Sequence, residues 1–265
     1  SSDRAHIFEN SKNESGELIT SQKFECCSSE CEPHINNPAF QNIPFRVFKD
    51  HLGELQEDAV FTGLTGEWEN KEIQQWFVQK EIKSLLIVPI IVNQEYWGTV
   101  GLEDCHKPRM WSDMDRGVLK TFATSLASAV ERKKAGEAIL ESEARFRYMA
   151  DTAPVMIWVT DEEDRVTYVN KSWVKFTGIT LEDIKESNWS LSVHPEDVKG
   201  AVQEYSEQFK QRCPVLLEYR LKSITGKYRW VIDQAIPRFL PNGTFLGYIG
   251  SLIDIHDRKL SEEKI

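Results

Sequence analysis

The sequence lacks the features that mark several common classes of protein. Basic residues are in the minority, with 32 Lys and Arg against 42 Asp and Glu among 265 residues. This balance argues against a nucleic-acid-binding surface, because phosphates are bound by basic side chains. The longest hydrophobic run, Leu85–Val92, is far shorter than the roughly 20 residues of a membrane-spanning helix. The chain also has no initiator Met and no charged leader before an apolar run, so we expect a piece of a longer protein with no membrane segment in this piece.

Cysteine is scarce and odd in number. Of the five cysteines, Cys26, Cys27 and Cys31 lie close together in the chain, while Cys105 and Cys213 stand alone. This is not the framework of a disulfide-stabilised secreted domain. We therefore expect a cytoplasmic protein.

Catalytic motifs are missing as well. The chain has no glycine-rich phosphate loop, no His-Glu-x-x-His motif and no nucleophile elbow. We therefore expect no catalytic residue in this piece, and leave open what enzyme the parent protein carries.

The chain does contain the pattern of a long helix. No proline interrupts the stretch from Trp111 to Met149, and Ser112 is a suitable N-cap before Asp113. Its apolar residues recur in a roughly heptad stripe: Leu119, Phe122, Leu126, Ala129 and Val130. A helix from Asp113 to Met149 would be about 55 Å long, too long to pack on one small domain. We expect it to pair with its copy in a parallel homodimer, as a coiled coil.

On either side of this helix lies a unit of mixed α and β structure. The first unit has the pattern of a sheet flanked by helices, with strands at 3–10, 18–24, 59–64, 85–92 and 96–102, a loop at 27–44, and helices at 45–55 and 70–80. The second has strands at 155–160, 165–169, 215–223, 227–239 and 244–255, and helices at 171–177, 181–186 and 195–211. Alternation in its fourth strand places Tyr228, Trp230, Ile232 and Ile236 on one apolar face, opposite Arg229 and Asp233.

The second unit resembles a PAS sensor domain. The stretches that carry the resemblance, in the family's order, are 153–158 (APVMIW), 168–173 (YVNKSW), 176–178 (FTG), 193–197 (VHPED), 218–221 (EYRL), 229–230 (RW), 247–250 (GYIG) and 254–259 (DIHDRK). The first unit resembles a GAF domain, through 3–10 (DRAHIFEN), 84–90 (SLLIVPI), 97–98 (WG), 101–105 (GLEDC) and 109–112 (RMWS). The opening helix of that fold is missing.

The resemblance implies a two-domain fold of the α+β class. A GAF-like sheet with flanking helices is followed by a PAS-like five-stranded antiparallel sheet with short helices, and a long helix joins them. The expected divisions are 1–112 for the GAF-like domain, 113–145 for the connecting helix, 146–256 for the PAS domain and 257–265 for the start of an outgoing helix. The resemblance also implies a cytoplasmic regulatory fragment of a two-component sensor histidine kinase. Such a fragment controls a kinase domain further along the chain, which in turn acts in a phosphorelay.

The PAS-like unit is rich in aromatic residues that could line a ligand pocket or simply fill a core. They are Trp158, Trp173, Phe176, Trp189, Tyr219 and Trp230. The ligand itself is unknown. His194 precedes a proline at a helix start, which favours a boundary residue over a haem ligand, and the absence of an Asn-Cys-Arg-Phe motif argues against a flavin.

The cysteine cluster leads to a second hypothesis. Cys26, Cys27, Cys31 and His34 offer soft ligands within a short stretch, so a haem-, metal- or redox-dependent sensor is the alternative function. Ordinary core or loop cysteines are the simpler interpretation. Cys105 ends a strand outside the region where GAF domains attach a bilin, so we expect no chromophore there.

The end of the PAS-like unit matches the family's exit motif for signals. Asp254 and Arg258 occupy the positions of its acid–base pair, and His256 replaces its threonine. The resemblance implies an ion pair between Asp254 and Arg258 across the strand-to-helix corner.

Overall fold

The computed structural model describes residues 2–45, 60–68, 71–186 and 189–262. The chain divides into two compact units, Ser1–Ala138 and Ile139–Ile265. The division falls within one long helix, and each unit is described by itself below. Among the described residues, no helix combines the length and apolar character needed to cross a bilayer.

The first unit is built on a six-stranded antiparallel sheet. Its strands are β1 (Arg4–Lys12), β2 (Leu18–Cys27), β3 (Ile43–Pro44), β4 (Phe61–Leu64), β5 (Ser84–Val92) and β6 (Glu95–Asp104). They lie in the order β3-β2-β1-β6-β5-β4. Helix α1 (Lys71–Gln79) and two 3-10 turns, Pro38–Phe40 and Thr65–Glu67, lie between strands. The edge strand β3 lies inside the stretch that the composition predicts to be loop.

The hairpin β5–β6 forms the centre of this core. Leu85, Leu86 and Ile90 of β5 are fully buried, because the strand is covered on both faces. The two-residue turn uses Asn93 and Gln94, both with positive φ (52° and 65°), as the right-handed twist of a tight hairpin requires. The predicted strand pair is thereby confirmed.

Helix α2 spans Asp113–Thr152, slightly longer than predicted, and Ser112 caps it by accepting the Asp115 backbone N–H at 3.2 Å. The residues of the predicted stripe are divided between the core of the first unit and the exposed surface of the helix, and its pairing with a second copy stays a prediction. Its members Leu119, Leu126 and Val130 pack on the core of the first unit together with the buried Ala123 and Ala127, whereas Phe122 and Ala129 are exposed. The sheet selects a face rotated from the one that apolar spacing alone indicates.

The second unit contains a five-stranded antiparallel sheet in the order β8-β7-β11-β10-β9. Its strands are β7 (Met156–Thr160), β8 (Val166–Val169), β9 (Val215–Lys222), β10 (Tyr228–Phe239) and β11 (Phe245–Asp254). Its helices are α3 (Lys171–Thr177), α4 (Leu181–Glu186), α5 (Pro195–Gln211) and α6 (His256–Glu262), with a 3-10 turn at Trp189–Ser192. These bounds agree with the predicted ones to within two residues. The predicted helix at 45–55 lies almost wholly outside the described residues.

The face assigned to β10 is wrong. Its buried residues are Val231, Asp233 and Ala235, whereas Ile236 is 59% exposed and Trp230 lies on the outer face. The alternating pattern does not identify the buried face of β10, because both faces carry apolar side chains. It also places the buried Asp233 on the solvent side.

Candidate functional site

A small cavity lies inside the second unit, beneath the sheet. The space open to the centres of water-sized molecules is about 40 Å³, room for roughly three waters. It is lined mainly by aromatic and apolar side chains: Trp158, Thr160, Asp164, Val166, Val169, Trp173, Ile184, Trp189, Tyr205, Tyr219 and Asp233. Four of the six predicted pocket residues are among them, and whether they bind a ligand stays a prediction.

The other two predicted pocket residues lie elsewhere. Phe176 packs at the edge of the core. Trp230 is on the outer face of the sheet, where Arg220 and Lys259 lie over its ring at 5.3 and 5.5 Å. Trp230 lies there because the buried face of β10 is the one opposite to the predicted face.

The polar group of this cavity is Asp233, which sequence reasoning placed on the outside. The side chain is 5% exposed and accepts hydrogen bonds from Trp158 Nε1 and the Tyr219 hydroxyl, each at 3.0 Å. Burial raises the pKa of Asp233 to about 6, because it disfavours the charged carboxylate. The two hydrogen bonds offset this only in part, since both donors are neutral. A second carboxylate, Asp164, accepts the Tyr205 hydroxyl at 2.5 Å, and burial raises its pKa as well.

The end of α2 is joined to the second sheet through Asn170, which is completely buried. Its Nδ2 donates to the carbonyls of Ala150 (2.7 Å) and Val155 (2.9 Å). Its Oδ1 accepts the backbone N–H groups of Ile157 (2.9 Å) and Trp173 (3.0 Å). One side chain thus connects the last helical turn, β7 and the start of α3. The motif around Asn170 carried the family resemblance but gave no indication of this role.

His194 takes no part in the cavity. Its Nδ1 accepts the Glu196 N–H at 3.3 Å at the start of α5, and its ring packs edge-on against Tyr228. This agrees with a boundary residue.

The exit from the second unit is held by a different pair from the one predicted. Asp254 pairs with Arg229 of β10 at 2.6 Å and accepts the backbone N–H of His256 at 3.0 Å, which caps α6. Arg258 instead lies 3.7 Å from Glu218 of β9 and from Glu262. The predicted contact between Asp254 and Arg258 is wrong, because the guanidinium of Arg229 on the neighbouring strand occupies the carboxylate and Arg258 points to β9.

The predicted group of Cys26, Cys27, Cys31 and His34 does not assemble. Cys26 is exposed, and Cys27, the next residue of β2, points to the opposite face of the strand. His34 stacks on Phe40 at 4.6 Å and lies 3.5 Å from Arg4 Nη2. The fold instead brings Cys31 to Cys105 and Asp3, whose ligand atoms all lie within 4.8 Å of one another.

The environment of these groups sets their protonation. Burial raises the pKa of the Cys105 thiol. Burial also opposes ionisation of Asp3, but the His106 side chain and the Cys105 backbone N–H outweigh it and lower the pKa of Asp3 to about 2. The sequence alone could not show that Cys105 lies beside Cys31, because 74 positions separate the two residues and only the fold brings them together.

A second cavity lies in the first unit and went unnoticed in the sequence. The space open to water-sized molecules is about 60 Å³. Its lining residues come from almost every element of the unit: His6, Phe8, Thr20, Phe40, Ile43, Phe45, Phe61, Trp68, Trp76, Phe77, Ile87, Tyr96, Thr99 and Glu103. The available signal in the sequence was the alternation of Arg4 and His6 with Ala5 and Ile7 in β1.

The polar end of that cavity is a buried ionic network. Arg4 bonds to Glu103 at 2.7 Å and to Glu25 at 3.2 Å, and His6 Nδ1 lies 3.3 Å from Glu103. Burial lowers the pKa of His6, so its imidazole is neutral near pH 7. Gly101 of β6 allows the His6 ring to lie flat on the sheet, because a Cβ there would be 2.2 Å from Nε2.

Comparisons with known proteins find a family model that matches part of each unit. Residues 21–130 match the family model for the GAF domain, and residues 166–252 match that for the PAS fold. The chain is 42% identical over 150 residues to an uncharacterised protein, y4lL, of Sinorhizobium fredii, a match that covers 57% of this chain and 18% of that protein. It is 36% identical over 133 residues to the methanogenesis regulatory histidine kinase FilI of Methanothrix harundinacea, covering 50% of this chain and 15% of the kinase.

The chain therefore spans less than a fifth of the length of these curated relatives. Among solved structures, it resembles the blue-light absorbing form of the PixJ GAF domain of Thermosynechococcus elongatus. The TM-score is 0.45 at 12% sequence identity, over 53% of this chain and 81% of that one.

Proposed function

We propose that this chain, in which a GAF-matching unit precedes a PAS-matching unit, is the regulatory part of a two-component histidine kinase. In this proposal the two domains receive signals, and the helices α2 and α6 pass the resulting shifts toward a kinase domain in the parent protein. The histidine kinase among the relatives supports this output. The proposed location is the cytoplasm.

The proposed division of labour follows the predicted boundaries. Residues 1–112 form the first sensor, 113–145 the signalling helix, 146–256 the second sensor and 257–265 the start of the outgoing helix. A small molecule, of a class that the cavities alone do not define, would act in either cavity by shifting the domain between two packings.

The observation that carries the proposal is the continuity of α2. Within the first unit, Leu119, Ala123 and Ala127 are buried against the sheet. Within the second, Ala150 is buried and its carbonyl accepts the Asn170 amide. Because a helix is stiff over this length, a rotation imposed at one end must be accommodated at the other.

The test is to change the phase of α2 while keeping both domains. One residue inserted between Lys134 and Ala135 turns the following helix by about 100°, whereas seven residues return it close to its original facing. With the chain fused at α6 to the catalytic core of a histidine kinase, we expect the single insertion to change autophosphorylation and the seven-residue insertion to restore it.

The matched control is a single residue inserted in the exposed turn between Asn242 and Gly243, which should leave autophosphorylation unchanged. Equal autophosphorylation in all variants would contradict a relay through α2.

A metal- or redox-dependent sensor is the second candidate. Among the described residues, the group of potential ligands that comes together includes Cys31 but not Cys26, Cys27 or His34. The convergence of Cys31, Cys105 and Asp3 keeps this class of function under consideration.

A further inference from the structure

Three side chains from distant parts of the sequence converge at one end of three neighbouring strands, β2, β1 and β6, of the first sheet. Asp3 precedes β1, Cys31 follows β2, and Cys105 follows β6. One carboxylate oxygen and two sulfurs lie within 4.8 Å of one another. Two thiols and a carboxylate can all be ligands of one metal ion, whereas a disulfide between the two cysteines would leave the carboxylate without a role.

The spacing is close to what a metal requires. In a tetrahedral zinc site, bonds of about 2.3 Å to sulfur and about 2.0 Å to oxygen place the ligand atoms roughly 3.5–3.8 Å apart. Any pair of these atoms would need to close by at most about 1.3 Å from the 4.8 Å limit. Side-chain rotation of Cys31, which lies on a loop, is enough for such a movement.

The carboxylate of Asp3 is already oriented. Its Oδ2 accepts the backbone N–H groups of Cys105 (2.8 Å) and His106 (3.2 Å) and lies 2.9 Å from His106 Nδ1. Hydrogen bonds of this kind to a metal-binding carboxylate are the usual outer shell of a metal site.

The site can be reached from solvent, and Arg4, the cation that acts on Cys105, has carboxylate partners of its own. Arg4 is engaged by Glu103 and Glu25. Cys31, Cys105 and His106 lie along an open groove, where Cys31 is half-buried and Cys105 is the more deeply buried of the two. An ion could therefore enter without unfolding the sheet.

We propose that Asp3, Cys31 and Cys105 bind one thiophilic divalent metal ion of the zinc class, with the fourth position open to water. Thiolate ligands select such ions over Mg²⁺ or Ca²⁺. The segment that follows Cys105 leads to Ser112 and the start of α2, so the bound ion would tie the N-terminus and the β2 loop to the entrance of the signalling helix. The site does not depend on the kinase output proposed above.

The test uses the whole 265-residue chain, reduced and freed of metal with a chelator. Titration with Co²⁺ should give thiolate-to-cobalt charge-transfer absorption that saturates at one ion per chain, and Zn²⁺ should displace it. Cys31→Ser, Cys105→Ser and Asp3→Asn should each weaken Zn²⁺ binding at least tenfold. His106→Ala, which removes one hydrogen bond to Asp3, should weaken it about tenfold.

Cys26→Ser and Cys213→Ser are the matched controls, because both thiols are exposed and outside the cluster. They should bind Zn²⁺ with unchanged affinity. Circular dichroism of each variant establishes that it is folded.

A measurement on the unmodified chain covers variants that do not fold. Zn²⁺ should slow alkylation of Cys31 and Cys105, located by peptide mass spectrometry, without slowing alkylation of Cys26 and Cys213. The proposal is overturned if Zn²⁺ protects all four alike or none, or if the double variant Cys31→Ser/Cys105→Ser binds as tightly as the unmodified chain. It is also overturned if the two thiols are isolated as a disulfide and the reduced chain binds no metal.

Discussion

Asp233 is a buried acid whose hydrogen-bond partners, Trp158 and Tyr219, are both neutral. Its pKa of about 6 in the folded chain lies above the ordinary 3.8. Between about pH 4 and 6 the folded chain therefore holds a proton that the unfolded chain has lost. Raising the pH across this window destabilises the fold, by about 3 kcal/mol for a shift of this size.

We expect Asp233→Asn to remove this dependence. Its amide can accept from Trp158 and donate to the Tyr219 oxygen, so both hydrogen bonds have a counterpart. Relative to the unmodified chain, the variant should gain up to about 3 kcal/mol of unfolding free energy on going from pH 4 to pH 7. Urea unfolding across this range measures the difference.

Glu182→Gln is the control, because Glu182 is exposed on α4, and its curve should run parallel to that of the unmodified chain. A parallel curve for Asp233→Asn as well would mean that Asp233 titrates at its ordinary pH.

Asn170 supports a second prediction at the scale of a single residue. Asn170→Ala removes four hydrogen bonds and leaves buried carbonyl and N–H groups without partners, so we expect a loss of more than about 2 kcal/mol of unfolding free energy. Asn170→Asp should also destabilise, since it cannot donate to Ala150 and Val155. Asn242→Ala, in an exposed turn, should cost less than about 1 kcal/mol. Urea unfolding decides between these values, and equal losses at Asn170 and Asn242 would contradict the role of the buried amide.

At the scale of secondary structure, the exit helix α6 is held by Arg229 and Asp254, not by Arg258 and Asp254. The pair is about one-third exposed, so its loss should cost about 0.2–1 kcal/mol and move the melting temperature by only a few degrees. We expect Asp254→Ala and Arg229→Ala each to speed amide hydrogen exchange in α6, measured by mass spectrometry.

Arg258→Ala, on the other side of the same helix, is the comparison. It should leave hydrogen exchange near the capped start of α6 unchanged. If Arg258→Ala speeds hydrogen exchange in α6 as much as Arg229→Ala does, Arg229 is not the residue that holds the start of the helix.

The elements and their order were predictable, while side-chain environments were not. Turns such as Asn93-Gln94 and caps such as Ser112 depend on neighbours in sequence, which is why strand and helix bounds came out well. The face of β10 and the partner of Asp254 depend on contacts between residues that are not neighbours in sequence. The same holds for Cys105, whose approach to Cys31 requires the pairing of β1 with both β2 and β6.

At the scale of the whole molecule, α2 exposes an apolar stripe that its own sheet does not cover. Met114, Val118 and Phe122 are 79%, 66% and 49% exposed and recur every fourth residue, on one side of the helix. We propose that this stripe, which shares Phe122 with the predicted one, mediates the homodimer that the sequence predicts, since apolar stripes of this spacing form helix pairs.

Val118→Glu/Phe122→Glu should therefore convert a dimer to a folded monomer in sedimentation equilibrium. Thr124→Glu, on a different side of α2, should leave the mass unchanged. Leu119→Glu should unfold the first unit instead, because Leu119 is 5% exposed. A monomeric mass for the unmodified chain at tens of micromolar would contradict the homodimer.

The Asn170 joint has a spectroscopic consequence. Both of its Nδ2 hydrogens are donated to buried carbonyls, so its pair of side-chain NMR resonances should be separated in frequency and exchange slowly with D₂O. Exposed asparagines, such as Asn242, exchange rapidly. This one amide then reports when the end of α2 leaves the PAS sheet, even while both elements stay folded.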